Sequence, residues 1–447
     1  MGILNNLGQL GQFGHFEHLE HLGCFGIFFV IVLTLTLVIK LYLGLRNQRW
    51  ITQHRESVPT LFTSWISLCD HQKAADYSLA KIKSGRIFLI VDVILLFIWT
   101  VGGGLAWLDQ SVGRAMGSAA MGAGVGVIGQ GVSLWIIFSL MNTLLDLPQD
   151  IYSTFVLEEK YGFNRTTVKT FLTDLIKSLL LSLVFGVPIF AGLVWIMETV
   201  NIWWVWAWIF LTMIQLLLTW LFPVLIAPFF NKFSPLPEGE VKVEVERLLA
   251  RTNFSYKGLF VMDASKRSAH GNAYFTGFGN FRRVVFYDTL LKSLTPSEVV
   301  AVLAHEVGHY KKKHVMKFLL LSIIGSGVGL WVLWMLAHAQ WFFATFAIPQ
   351  PSNYLALIIF SLIAPIFMFI FTPIFSWLSR RHEFSADSYA AKMASSADLI
   401  SALMKMFKDN ASTLTPDPLY ALFYYSHPDA STRIQYLQRL SECERAL

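Results

Sequence analysis

Seven stretches of the chain stay apolar for the roughly 20 residues that a helix needs to cross a hydrocarbon core. They run over 25–45, 87–108, 120–145, 178–198, 203–226, 316–337 and 354–378. Each predicts a transmembrane helix. The third is Gly-rich at its start, and Gly122 and Gly126 have the small-xxx-small spacing of closely packed helices. Between the fifth and sixth runs the pattern changes. Val241 to Ala250 has the period of an amphipathic helix, and Phe260–Asp263 and Val284–Tyr287 read as short strands flanking a Gly/Asn-rich hairpin at Gly271–Asn280. Thr295-Pro296-Ser297-Glu298 then opens a helix, with Thr at the N-cap, Pro in the first turn and Glu at the third position. The fold class is mainly α: a polytopic membrane protein of seven transmembrane helices with a helical domain and a small β-hairpin on one side. Residues 1–230 form the N-terminal membrane region, and 231–447 form a second domain that includes the last two spans.

Composition agrees with a membrane protein. Hydrophobic residues make up 55% and charged residues 14% of the chain, against about 25% charged in ordinary globular domains. The net charge of +6 does not indicate nucleic-acid binding, because the cations sit in loops between apolar runs. Loops 46–86, 146–177, 231–315 and 379–447 carry seven, four, thirteen and eight Lys/Arg, whereas the alternate segments are nearly empty. By the positive-inside rule the N-terminus is outside, and 231–315 and 379–447 share the cytosolic face. Residues 1–23 have no Lys or Arg, so the first run reads as a retained anchor. His15, His18 and His21 lie in a locally biased stretch that reads as a solvated tail. Cys24, Cys69 and Cys443 are too far apart for a disulfide framework or a cysteine metal site.

Chemistry enters at His305-Glu306-Val307-Gly308-His309. On a helix, positions four apart share a face, so both imidazoles can reach one Zn²⁺ while Glu306 stands ready to take a proton from water. A catalytic zinc needs a third protein ligand and an open position. A second-motif Gly and His are missing, since Lys312 and Val315 occupy those places. His314 lies nine residues from His305, and at about 100° per residue it is predicted on the opposite helix face, exposed near the membrane surface. Glu383 remains, on a segment predicted to share the side of His305. Asp387, one turn further on, is placed to accept the second N–H of a ligand histidine.

These residues, with the stretches 272–277 (NAYFTG), 285–290 (VFYDTL) and 157–164 (LEEKYGFN), resemble the type I CAAX prenyl protease family over about Leu147 to Arg433. Residues 1–146 share only the spacing of spans. The resemblance implies helices enclosing a water-filled chamber, one Zn²⁺ per chain, and an integral membrane endopeptidase that removes the last three residues after a lipidated cysteine. It also implies that Asn272 and the segment after it hold the substrate backbone, that His427 hydrogen-bonds the oxyanion, and that Arg433 orients substrate or the neighbouring carboxylate. Thr432 departs from the family, which usually has Glu there. The partners expected are a lipidated peptide or protein and the bilayer. The alternative is a membrane quality-control zinc protease with no lipid requirement. The last four residues, Glu444 to Leu447, are not a dilysine retrieval signal, which favours a bacterial inner membrane over the endoplasmic reticulum.

Overall fold

The computed structural model describes residues 23–117, 125–277 and 282–446. The His15–His21 tract, Gly122 and the end of the Gly/Asn-rich hairpin lie outside the described residues. Helix α1 covers Cys24–His54, α2 Leu68–Trp99, α3 Gly104–Met116, α4 Gly126–Tyr161, α5 Val168–Thr199 and α6 Trp203–Phe230. Six helices in the described residues are long and apolar enough to cross a membrane, and α2 with α3, bent by 53°, makes the seventh candidate span. The bend falls inside the run at 87–108, which the sequence pattern reads as unbroken. Gly103 sits there as the N-cap of α3 with φ +73°, a left-handed conformation that glycine adopts without strain.

Many apolar side chains on the spans stay exposed. Ile27, Ile31, Leu35 and Ile39 follow one another at steps of four along α1, each at least 40% exposed. In water such a stripe would be a liability, so it marks the lipid-facing side. The opposite faces meet in a core that includes Phe29, Trp99, Leu134, Phe190, Leu333, Phe342 and Ile359. Polar groups within or near the ends of spans are mostly paired. Gln215 donates to Ser322 (3.1 Å), Arg267 grips Asp174 (2.8 and 3.0 Å), Lys177 donates to the Phe229 carbonyl (2.6 Å), and Asn353 donates to Glu198 (3.0 Å).

After α6 the chain builds the site. Strand β1 (Phe233–Pro235), helix α7 (Glu240–Arg251), and strands β2 (Gly258–Met262), β3 (Ala273–Thr276) and β4 (Arg283–Tyr287) come first. They are followed by α8 (Pro296–Lys311) and the sixth span, α9 (His314–Ala337). Then come α10 (Asn353–Met393), α11 (Ser396–Asp409) and α12 (Ala430–Ala446). The sheet order is β1-β2-β4-β3. The two predicted strands do not form a simple hairpin with each other. They pair in parallel as β2 and β4, and β3 adds antiparallel to β4 as an edge strand. A parallel pair requires a crossover, which the segment 263–282 supplies.

Helix α8 forms where its start signal predicts. Thr295 accepts the Glu298 N–H (3.5 Å), and Glu298 accepts the Thr295 N–H (2.7 Å), closing a capping box. Glu298 also takes bonds from Ser401 (2.6 Å) and Lys405 (2.7 Å) of α11, which ties the helix start to its neighbour. The inner face of α8, with Val299, Val302, Leu303 and Val307, enters a second core with Val245, Phe286, Leu403 and Ile434. Helix α10 has 41 residues, about 60 Å of helix at 1.5 Å per residue, or twice a hydrocarbon core. Its apolar part alone is enough to span, and Glu383 lies in the polar half that follows.

Candidate active site and metal centre

The motif histidines and Glu383 converge because α8 and α10 pack at close range. A Cβ on Gly308 would lie 3.0 Å from the Ala386 carbonyl oxygen and 3.1 Å from its Cα, so the absence of a side chain at Gly308 permits the approach. At that separation one ligand atom from each of His305, His309 and Glu383 lies within 4.8 Å of the others. His309 Nε2 is 3.1 Å from His305 Nε2 and 3.2 Å from Glu383 Oε1, and His305 Nε2 is 3.4 Å from Glu383 Oε2. Glu383 Oε2 is buried and receives no well-aligned hydrogen bond, although His427 Nδ1 lies 2.8 Å away. Three Lewis bases facing one another across a partly buried gap fit a metal ion, and two imidazoles with one carboxylate suit zinc.

Support comes from behind. His305 Nδ1 lies 2.7 Å from Asp387 Oδ1, so Nδ1 donates its proton there and Nε2 is the nitrogen that faces the gap. Asp387 is fully buried. Arg433 grips both its oxygens, at 2.9 and 2.8 Å, and its guanidinium comes within 3.6 Å of Glu383. Such a planar two-pronged contact is the strong form of ion pair, and it compensates a carboxylate that could not otherwise sit fully out of water. Of the two expectations for Arg433, its geometry matches the one that places it on the neighbouring carboxylate. Without a metal, burial and the Arg433 charge oppose protonation of His305, but the Asp387 and Glu383 carboxylates prevail and push its pKa up to about 9. Burial raises the Glu306 carboxyl above its ordinary value, against the pull of His305 and His309.

A cavity of about 680 Å³ opens on this centre, lined by His305, Glu306, Asn272, His427 and Arg433 among others. Of the residues anticipated from the sequence, His309, Glu383 and Asp387 do not line it but reach it through their contacts with His305 and with one another. Asn272 enters it at the start of β3, with its own carbonyl accepting the Tyr287 N–H (3.0 Å) and its side-chain oxygen accepting the Ala273 N–H (2.8 Å).

Two family models match the chain in succession. The one described as CAAX prenyl protease N-terminal, five membrane helices, matches residues 47–232, and peptidase family M48 matches 235–441. The CAAX prenyl protease 1 of Saccharomyces cerevisiae is 37% identical over 337 residues, 71% of this chain and 74% of the yeast protein. The chain belongs to the CAAX prenyl protease family. A human CAAX prenyl protease 1 homolog is 32% identical over 390 residues, covering 78% of this chain and 81% of its own. The crystal structure of S. mikatae Ste24p superposes with a TM-score of 0.85 at 30% identity, covering 93% of this chain and 99% of that one. This CAAX prenyl protease family member is therefore a multi-pass membrane metalloprotease.

One expectation about the family member's site is corrected. His314 is not exposed on the far face of the motif helix but 2% exposed, with Nδ1 3.1 Å from Nδ1 of His309. Extrapolating the helical phase fails because α8 ends at Lys311. Lys313 takes a left-handed conformation (φ +57°), and His314 starts α9 on a new axis that turns back toward the site.

Sequence reasoning also missed the part of the cavity built by α1 and α2, including Asn47, Ile51, Tyr77 and Lys81. The available signal was the stretch 157–164. Its Glu158, at the end of a π-helical turn, accepts the Tyr77 hydroxyl and lies 3.6 Å from His270 Nε2. His270 stacks on Phe163 (4.5 Å between centroids), and Asn410 accepts the Gly271 N–H (3.1 Å). Those bonds join two spans to the backbone just before Asn272.

Proposed function

We propose that this protein hydrolyses a peptide bond just after a lipid-bearing cysteine near the C-terminus of a peptide or protein, with zinc as its metal. The observation that carries the proposal is the convergence of His305, His309 and Glu383 on one point, with His305 and Glu306 lining the cavity beside it. The lipid requirement is supported by the kinship to CAAX prenyl protease 1 of yeast and its human homolog, and by apolar lining at Ile51, Ile82, Leu399, Leu403 and Phe407.

His305, His309 and Glu383 would hold the zinc, which when bound activates water and polarises the scissile carbonyl as a Lewis acid. Glu306 takes the proton from the attacking water and returns it to the leaving amine, a role that its raised pKa favours. His427, 64% exposed and reaching inward to Glu383, donates to the carbonyl oxygen as charge grows on it. Asn272 and the free edge of β3 hold the substrate backbone by strand addition. Arg433 fixes Asp387, and Asp387 fixes His305. The site faces the cytosol, following the charge of loops 231–315 and 379–447. Residues 1–230 act as the membrane region and 231–447 as the peptidase domain, with the spans around a water-filled chamber.

The test is cleavage by purified protein of a prenylated peptide beside its unprenylated twin. Preference for the prenylated peptide supports the proposal. Equal cleavage of both would replace it with a quality-control protease using the same zinc chemistry.

A further inference from the structure

Of the two histidines assigned to the metal, only His305 has a carboxylate behind it. Its Nδ1 meets Asp387 at 2.7 Å. The Nδ1 of His309 meets another imidazole instead, that of His314, at 3.1 Å. Two facing Nδ1 atoms at that distance share one proton, since two would collide and none would leave lone pairs opposed. The geometry points to His314 as the positioning residue of His309: its Nδ1 accepts the His309 Nδ1–H, which leaves His309 Nε2 bare and aimed at the metal. The inference rests on the reading of His305, His309 and Glu383 as a metal site.

The surroundings of His314 suit an acceptor that must not turn away. The ring is buried. It lies flat against His382, with centroids 4.0 Å apart and planes 10° apart, and Phe318 meets His382 edge-on at 5.1 Å. Rotation of His314 about χ2 would break the stack, so the stack holds the ring in the plane that presents Nδ1 to His309. The same helix break that returns His314 to the site, at Lys313, places it as the first residue of α9. The end of a transmembrane span is thereby joined to one ligand, as the extension of α10 is joined to another through Glu383. His309 thus gains the orientation that Asp387 gives His305, from a neutral partner that adds no buried charge.

The test uses the full chain in detergent and measures zinc affinity by competition with a chromophoric chelator. His314→Phe keeps a ring to stack on His382 but cannot accept a hydrogen bond. His314→Asn loses the ring but sets an amide oxygen near the place of Nδ1. The phenylalanine variant is expected to bind zinc about 10–100-fold more weakly, the usual cost of losing such a partner, and the asparagine variant to keep most of the wild-type affinity. A packing role predicts the reverse order. Zinc bound by His314→Phe as tightly as by wild type, or by His314→Asn as weakly as by His314→Phe, overturns the inference. Thermal unfolding of the metal-free proteins checks that each variant folds, and His314→Leu replaces the phenylalanine variant if that one does not. Failure of the wild type to bind zinc would instead overturn the metal reading itself.

Discussion

Gly308→Ala sets two opposed effects against each other at the joint between the ligand helices. Alanine in place of glycine inside a helix stabilises by about 1 kcal/mol. The new Cβ, however, would lie 3.0 Å from the Ala386 oxygen, 3.1 Å from its Cα and 3.1 Å from the Tyr389 Cβ, where ordinary contact begins at 3.4 Å. These atoms belong to a helix backbone and a Cβ, so no side-chain rotation relieves them, and α10 must move by a few tenths of an ångström. Overpacking of this kind costs about 1–3 kcal/mol. The balance leaves metal-free stability near wild type or lower by about 2 kcal/mol. Metal binding suffers more, because Gly308 adjoins His309 and Ala386 lies between Glu383 and Asp387. Metal–ligand distances tolerate only about ±0.2 Å. Thermal unfolding with and without zinc separates the two effects, since at a fixed ligand concentration the stabilisation grows with the logarithm of the affinity. The expected result is a metal-free midpoint close to wild type with a clearly smaller increment from zinc. A variant stabilised by the full helix-propensity gain and by the full zinc increment would show that the helices have slack and that this contact does not set the ligand spacing.

Glu306→Gln leaves all three metal-facing groups in place, so zinc content is expected to stay near one per chain while peptide cleavage falls by at least about 100-fold; undiminished cleavage would remove Glu306 from the mechanism. Glu298→Ala removes the capping-box acceptor and the partner of Lys405, with an expected loss of about 1–3 kcal/mol at neutral pH in denaturant unfolding. Burial works to raise the Glu298 carboxyl, but the bonds from Lys405, Ser401 and Thr295 hold it below its ordinary value. A pKa depressed in the folded state means stability that is present above the unfolded value, about 4.3, and that drains away as pH falls through the folded value. The gap between wild type and Glu298→Ala should therefore narrow in acid; a gap unchanged at low pH contradicts the assignment.

Elements set by local rules were legible in the chain. The spans follow from hydrophobic length, helix α8 from Thr295 and Glu298, and the pairing of His305 with His309 from the four-residue period. Glu383 was legible as a candidate because Lys312 and Val315 break the other third-ligand pattern and because loop charge puts its segment on the side of His305. Illegible were features that depend on a break in regular structure. The bend at Gly103 hides inside an apolar run, because hydropathy measures length and not direction. The pairing of β2 with β4 in parallel depends on where the chain crosses over, and alternation of side chains does not encode that.

His314 marks the boundary between the two kinds of knowledge. Its number in the chain assigns it to the wrong face of the motif helix, because periodicity holds only while the helix continues. The left-handed Lys313 resets the axis, and His314 begins the sixth span from there. The sequence alone pointed to a membrane metallopeptidase and to His305, Glu306, His309 and Glu383 as the candidates for its centre, since residue types and spacing are properties of the chain. The tertiary structure alone decided how closely α8 and α10 approach at Gly308, that Arg433 clamps Asp387, and that a second imidazole stands behind His309. Those outcomes depend on contacts between residues as distant in sequence as His305 and Arg433, where packing, and not local propensity, sets the distances.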